Sequence, residues 1–379
     1  MNRRRGLMRS YGRNDRISNL ELFALMLVFV VGSLLTLPVG YAAGHDSWIS
    51  VLIGTFAGLG INGLYAYLCR RYPKKSLVEI AHLILGSWIG KLVGLLYAWY
   101  AFYLGSYVLR NFTDMTSAVL LPRTPTVVLG IVMVVLTVWT ATKGIEVISR
   151  CSLIILLFIF VSTFIGCVLL IPNMEPYNLF PVLDNGWHAI LLGAGQIATV
   201  PLGETIVFAM LIPYVNRTKF VGRTVLGAIG ASGGLLLVTC FVNIFVLGEI
   251  AGEQLFPSYT SFMYISVGDF FERIEPLVFT VWIFNEFTKL SVCLLTTSVA
   301  FAQTIRSKDH RVYLLPVGLL ILLFSTFLHP SQLDVVEFVK TVWPLYSVPF
   351  LLVVPLLLLV VSLFRRKGMH ANLTDAEPK

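Results

Sequence analysis

The sequence predicts an all-α integral membrane protein of ten transmembrane helices, and three observations carry that prediction. Of the 379 residues 57% are hydrophobic and 13% charged, with a mean hydropathy of +0.82, whereas soluble domains run at about 45–50% apolar and about 25% charged. The apolar runs are long and unbroken, which suits helices: a membrane helix needs about 20 such residues, a barrel strand about 10 of alternating character. Lysines and arginines gather in every second gap between the runs, as membrane topology demands.

Taken in order, the runs fall at 19–41, 48–69, 89–120, 126–141, 145–171, 187–214, 221–247, 276–302, 312–328 and 338–364. The stretch 77–85 is too short and too mixed to cross and reads as a surface helix. The chain thus divides into a basic tail at 1–18, one transmembrane domain at 19–364 and a second tail at 365–379.

Orientation follows from the cations. The tail before the first span holds six (Arg3, Arg4, Arg5, Arg9, Arg13, Arg16), and the even-numbered loops and the C-terminal end bring the total on one side to 22 of 28. Both termini are therefore expected in the cytoplasm. The opposite loops hold most of the loop acid, including Glu249, Glu253, Asp269, Glu272 and Glu275. The formal charge of +8 is topology and excludes a nucleic-acid role.

A cleaved leader is not expected, because the first apolar run is longer than a signal h-region and lacks a small-x-small site after it. Five dispersed cysteines (Cys69, Cys151, Cys167, Cys240, Cys293) and six scattered histidines form neither a disulfide framework nor a ligand set for a metal. With no phosphate-cradling loop or nucleophile elbow, an enzyme, a metal or a cofactor is not expected.

Ten spans divide into two repeats, about 19–171 and 187–364, and an odd number in each inverts the second copy. TLPVG at 36–40 and TVPLG at 199–203 then occupy corresponding spans, the first and the sixth. A freed backbone group in lipid is costly unless protein or a cavity receives it, so matched breaks mark a midplane ligand site. The first break is expected from Gly32 and Ser33 through Pro38 and Gly40, the second from Gly193 and Gly195 through Thr199, Pro201 and Gly203. Half-helix N-termini suit a carboxylate and unwound carbonyls an ammonium, which together suit an amino acid. The other reading of these breaks is a pair of kinks that shape the bundle.

Charges inside spans cost about 2.5–3.5 kcal/mol each at a helix centre, so each has a partner or a task. Glu204 follows the second break and is the first choice for contacting a cation or proton. Glu286 and Lys289 share a helix face three residues apart; they either neutralise each other or reach across to the broken helices. Arg110 and Asp114 read as a local pair. In GLLYAWYAFYLGSYVL of span three, Tyr97, Tyr100 or Ala101, and Leu104 share a face and are placed to wall a pocket, with core packing as the alternative. Gly54, Gly58 and Gly63, and Gly227 to Gly234, read as faces for close helix contact.

Five blocks carry a family resemblance: ISNLELFALMLVFVVGSLLTLPVG, NLFPVLDNGW, PLGETIVFAMLIPYVN, LFPSYTSFMYISVGDFFERIEPLVFTVWIF and LPVGLLILLFS. In wording, order and spacing they resemble the B subunits of the nutrient-germinant receptors of bacterial endospores, spore germination permeases of the amino acid–polyamine–organocation superfamily. The resemblance implies a LeuT-like five-plus-five inverted repeat with helices one and six broken, and a nutrient-sensing role in the spore inner membrane beside a channel-like A-type subunit and a C-type lipoprotein. It implies a ligand pocket of Gly32, Ser33, Leu34, Tyr97, Ala101, Thr199, Pro201, Gly203, Glu204 and Thr288. Glu286 departs from the apolar residue the family pattern would place there.

On this reading a small nutrient, an amino acid by its chemistry, biases closure of the half-helices, and the outer loop 255–275 transmits the change. A proton-coupled amino acid permease using Glu204 or Lys289, and a ligandless scaffold of a channel complex, stand as the alternatives.

Overall fold

The computed structural model describes residues 15–36, 40–265 and 275–364, with the side chains of 33–36, 275 and 277 not described. Pro38 of the first expected break, most of both tails and the middle of the outer loop lie outside the described residues.

Helices account for nearly all of the described chain, the exception to their monotony being an isolated bridge between Ile17 and Val215. They are α1 (Asn19–Thr36), α2 (Ser47–Arg71), α3 (Leu77–Leu85), α4 (Ser87–Val119), α5 (Thr126–Thr142), α6 (Ile145–Leu170) and α7 (Gly186–Thr199). After a 3-10 segment at Gly203–Met210 come α8 (Val221–Leu247), α9 (Pro257–Met263), α10 (Glu275–Ile305), α11 (Leu314–Phe327), α12 (Gln332–Thr341), α13 (Trp343–Val348) and α14 (Val354–Phe364). Every run expected to span contains helix among the described residues. Among the described residues seven helices are long and apolar enough to cross a membrane, or eight if α11 and α12, bent by 100° at their junction, form one span; Asn19–Gly32 of α1 and the whole of α5 are further apolar helical stretches.

The start of the last span differs from the sequence expectation. Phe338 belongs to α12 on the near side of Val342, so the last apolar run begins at Trp343 rather than at 338. Capping at Ser331, whose hydroxyl and Asp334 satisfy each other's backbone donors, starts α12 as a separate helix. α3 is similarly capped by Ser76 and Glu79. It is more than a surface helix, since Leu77, Val78, Ile80, Ala81 and Ile84 are all buried.

Burial sorts the helices. From Leu22 to Val31, α1 has only Phe23 outside the fully buried set, the mark of a helix enclosed on all sides. α10 is enclosed in the same way from Leu290 to Ala300. In contrast α5, α6 and α11 turn Val132, Leu136, Ile154, Leu157, Phe164 and Leu320 outward, the surface that hydrocarbon would cover. The molecule is therefore a bundle with α1 and α10 at its centre. Its start is pinned by Ile17, which exchanges backbone bonds with Tyr214 (3.0 Å) and Asn216 (2.9 Å).

Close contact in the bundle uses glycine where a methyl group would not fit. A Cβ on Gly54 would stand 2.6 Å from Ile197, and one on Gly58 would stand 2.7 Å from Leu202, so α2 lies directly against the chain around Pro201. Gly63 faces open space, and its expected packing role is absent.

Candidate functional site

Between α7 and the 3-10 segment the chain makes a turn at Val200–Leu202, in which Val200 and Leu202 keep helical dihedral angles and donate to the carbonyls of Gln196 (2.8 Å) and Ile197 (3.4 Å). Gly193 and Gly195, expected to lie in the break, sit inside regular helix, because Thr199 and the residues before it keep their helical partners. Thr199 Oγ1 donates to the carbonyls of Gly195 (2.7 Å) and Gln196 (3.2 Å). Past that point side chains take over. Asn62 Nδ2 of α2 donates to the Leu202 carbonyl (3.0 Å), and Thr205 Oγ1 donates to the same carbonyl (2.6 Å) and to Asn62 Oδ1 (2.7 Å). The Leu202 carbonyl is thus received by protein, as a turn inside a bundle requires.

Span one behaves differently at the corresponding place. Its backbone remains helical through Gly32 and Ser33 as far as Thr36, so the break does not begin where the sequence put it. Helical geometry persists there because α1 is packed all round; Gly32 lies against Asn285 of α10, where an added Cβ would meet Asn285 Cβ at 3.4 Å. Leu34 is on the same helical turn, and its side chain is outside the described residues. The chain resumes at Gly40 in a left-handed conformation (φ 88°), and its N–H donates to Gln196 Oε1 (3.1 Å) while Gln196 Nε2 donates to the Lys340 carbonyl (2.9 Å). One amide therefore joins the exit of span one, α7 and α12.

The turn at Val200–Leu202 delivers Glu204 into the centre of the molecule. Glu204 Oε2 pairs with Lys289 Nζ of α10 at 2.6 Å, and Glu204 Oε1 accepts from Trp343 Nε1 of α13 at 3.1 Å. All three residues are no more than 2% exposed. Lys289 also stands 5.1 Å over the ring of Phe29, a cation–π contact from α1. Trp343 stacks on Tyr100 (5.7 Å), Tyr103 (5.5 Å) and Tyr107 (6.1 Å) of α4. Five elements thus meet at one ion pair. Removing one member of such a pair costs about 3–5 kcal/mol, since the other charge is left stranded.

The alternatives left open by the sequence resolve here: Lys289 reaches across to Glu204 rather than serving only Glu286. Glu286 takes a bond from Trp282 Nε1 (3.2 Å) on Oε1. The Asn111 side chain of α4 also hydrogen-bonds this carboxylate, and Asn111 Oδ1 accepts from Gln332 Nε2 (2.9 Å).

Of the other expected site residues, Pro201 and Gly203 are buried at the turn; a Cβ on Gly203 would lie 2.5 Å from Leu351 and 2.9 Å from the Ala198 carbonyl. Tyr97 is spent on the Phe350 carbonyl (2.6 Å), and Ala101 lies fully buried on the same helix one turn on. Thr288 is buried and donates back to the Phe284 carbonyl (2.9 Å). Arg110 and Asp114 pair at 2.7 Å, away from the cluster. Sequence reasoning missed Trp343, Tyr107, Asn62 and Gln196. Trp343 lay inside the run read as 338–364 and Tyr107 within the aromatic stretch of span three, neither set apart from its neighbours. Two cavities lie elsewhere: one of about 510 Å³ among Met133, Trp139, Ile155 and Phe284, and one of about 30 Å³ among Val31, Ser162, Asn243 and Phe262.

Comparison with known proteins is consistent across sequence and structure. A family model described as "Spore germination protein" matches residues 16–333. The chain is 31% identical over 357 residues to spore germination protein KB of Bacillus subtilis (strain 168), covering 93% of this chain and 96% of that one. It is 22% identical to spore germination protein YndE of the same organism, over 94% and 99% of the two chains. Among solved structures it superposes on MhsT in complex with L-phenylalanine with a TM-score of 0.64 at 15% identity, over 93% of this chain and 99% of that one. For Mhp1, a nucleobase-cation-symport-1 family transporter, the TM-score is 0.61 at 13% identity, over 87% and 76%.

Proposed function

The chain belongs to the spore germination protein family, and on that premise we propose that it is the nutrient-sensing B-type subunit of a germinant receptor. It crosses the spore inner membrane ten times as two inverted repeats of five, with both termini in the cytoplasm. A small nutrient, an amino acid by the site's chemistry, binds at the midplane between spans one and six, walled by α4 and α10. Binding is passed to an A-type and a C-type subunit.

The observation that carries this reading is the coincidence of a change of helix type in span six with a buried charge pair. The chain turns at Val200–Leu202, just before Gly203, and Glu204 beyond it meets Lys289 and Trp343. Carboxylate, ammonium and aromatic faces are the groups that recognise an amino acid, and here they come from five elements. A ligand that contacts them differently in two arrangements shifts the balance between those arrangements. Gly32, Ser33, Leu34, Tyr97, Ala101, Thr199, Pro201, Gly203 and Thr288 complete the proposed lining.

A second reading, a proton-coupled amino acid permease, is favoured by the fold, since MhsT was solved with L-phenylalanine and Mhp1 is a transporter. Reconstitution separates the two: saturable amino acid binding without concentrative uptake into liposomes supports the sensor, and uptake driven by a proton gradient supports the permease. Dormant spores carrying Glu204→Gln at normal abundance test the site, with a shifted nutrient threshold expected.

A further inference from the structure

The larger of the two cavities lies apart from the charge cluster, and its walls suit an apolar occupant. It holds about 510 Å³ between α4, α5, α6 and α10. Phe112, Met133 and Ile155 form a buried floor, while Leu136, Ile154 and Phe158 stand exposed at the rim. The cavity is therefore a groove open toward the hydrocarbon. It offers a polar ligand little to bond, since the Thr140 hydroxyl on its wall already donates to the Leu136 carbonyl (2.8 Å), and an apolar space of this kind does not hold water. A partner helix fits it poorly, because close helix contact in membranes uses small residues and this lining is crowded by Trp139, Phe158, Phe284 and Phe287.

Length and charge define the occupant further. Along α6 the lining runs from Val147 to Phe158, about 17 Å at about 1.5 Å per residue, which is close to half of a hydrocarbon core about 30 Å thick. The groove thus spans one leaflet, at the end where α5 gives way to α6 and where Lys143 and Arg150 stand. Arg150 is shared between Glu21 (3.7 Å) and Glu146 (3.6 Å), and Glu146 also accepts from the Arg16 amide (2.7 Å). Lys143 makes no ion pair among the described residues; its ammonium lies 5.9 Å from the centre of the Trp139 ring, at the mouth of the groove. An exposed indole beside a cation is the pattern of a membrane–water interface.

We propose that this groove binds one anionic phospholipid, with an acyl chain lying among α4, α5, α6 and α10 and the phosphate meeting Lys143 beside Trp139. Basic groups between membrane helices on the cation-rich side recognise such head groups. The site goes beyond the nutrient reading and does not rest on it. Phe284 and Phe287 of its wall belong to α10, so the bound chain bears on the helix that carries Lys289.

Native mass spectrometry reads the occupant directly, on the purified full-length protein equilibrated in detergent with equal amounts of phosphatidylglycerol and phosphatidylcholine of matched chains. One phosphatidylglycerol per chain is expected, retained several-fold over phosphatidylcholine, and Lys143→Gln should bring that preference close to parity. Ile154→Trp and Val147→Trp fill the groove from its rim and should remove the retained lipid, together with the rise in Tm that phosphatidylglycerol gives the wild type. Equal retention of the two lipids overturns the proposal, as does retention unchanged in both tryptophan variants, which would place the lipid elsewhere. No lipid retained by the wild type also overturns it and leaves the groove to a partner helix. A Tm raised as far by glycerol 1-phosphate as by the lipid would assign the effect to a free phosphate and remove the chain from the account. Should the tryptophan variants not fold, Lys143→Gln, at an exposed position, carries the comparison, and an undiminished preference there overturns the proposal.

Discussion

Two buried polar groups of side chains stand in this bundle, and they are built on opposite plans. Around Asn243 every side-chain group is spent: Nδ2 donates to Tyr41 Oη (2.8 Å) and Ser258 Oγ (3.1 Å), and Oδ1 accepts from Ser261 (2.9 Å). This network ties α8 to α9 and to the chain leaving span one. Around Glu204 the ion pair is equally closed, yet nearby Asn285 and Tyr107 keep buried atoms without hydrogen bonds. A satisfied network holds a shape; one with open acceptors retains capacity for something else.

The largest expected effect comes from breaking the closed part of the second cluster. Lys289→Met leaves Glu204 buried without its ammonium and should cost about 3–5 kcal/mol, read as a loss of thermal stability in nanodiscs. Adding Glu204→Gln should return most of it, and a double variant as unstable as the single would show that the pair is not the source. Next, Gly203→Ala places a methyl against Leu351 and the Ala198 carbonyl and should cost about 1–3 kcal/mol by overpacking, while raising the nutrient threshold of spores. Ser261→Ala should cost about 1 kcal/mol and leave the ranking of nutrients unchanged, because the Asn243 network serves shape alone. A changed nutrient ranking would erase the contrast between the two regions.

The smallest effect is one of pH, outside the membrane. His310, in the connection before α11, is 4% exposed, and burial lowers its pKa from the usual 6.5. The folded state favours the neutral ring, so the unfolded chain binds more protons as pH falls below about 6.5 and stability declines until the folded-state value is passed. His310→Gln should flatten that part of the stability profile.

Much of this was legible in the sequence because hydrocarbon imposes simple rules. Apolar length placed most of the long helices, and Pro201 and Gly203 drew attention to the segment where α7 gives way to a 3-10 turn. Glu204 and Lys289 could be named, since a charge in a span demands a partner. Their pairing with each other could not, because it depends on the 3-10 segment Gly203–Met210 and α10 meeting 85 positions apart in the chain. Asn62 was invisible for a similar reason: an asparagine in an apolar helix gives no sign that it will hold the Leu202 carbonyl. Gly193 and Gly195 misled, since glycine is tolerated within membrane helices and there marks close packing as readily as a break. The start of the last span was misplaced because the run 338–364 reads as continuous, whereas Val342 and Pro344 divide it.

The most direct test of the central claim removes the charge pair without stranding either charge. Spores carrying Glu204→Gln together with Lys289→Met, with protein abundance matched by blot, would be exposed to graded amounts of a panel of L-amino acids. If the cluster is the sensing site, the threshold rises or the response is lost while the protein remains at normal level. An unchanged threshold across the panel would contradict that claim and leave the pair as a device of folding.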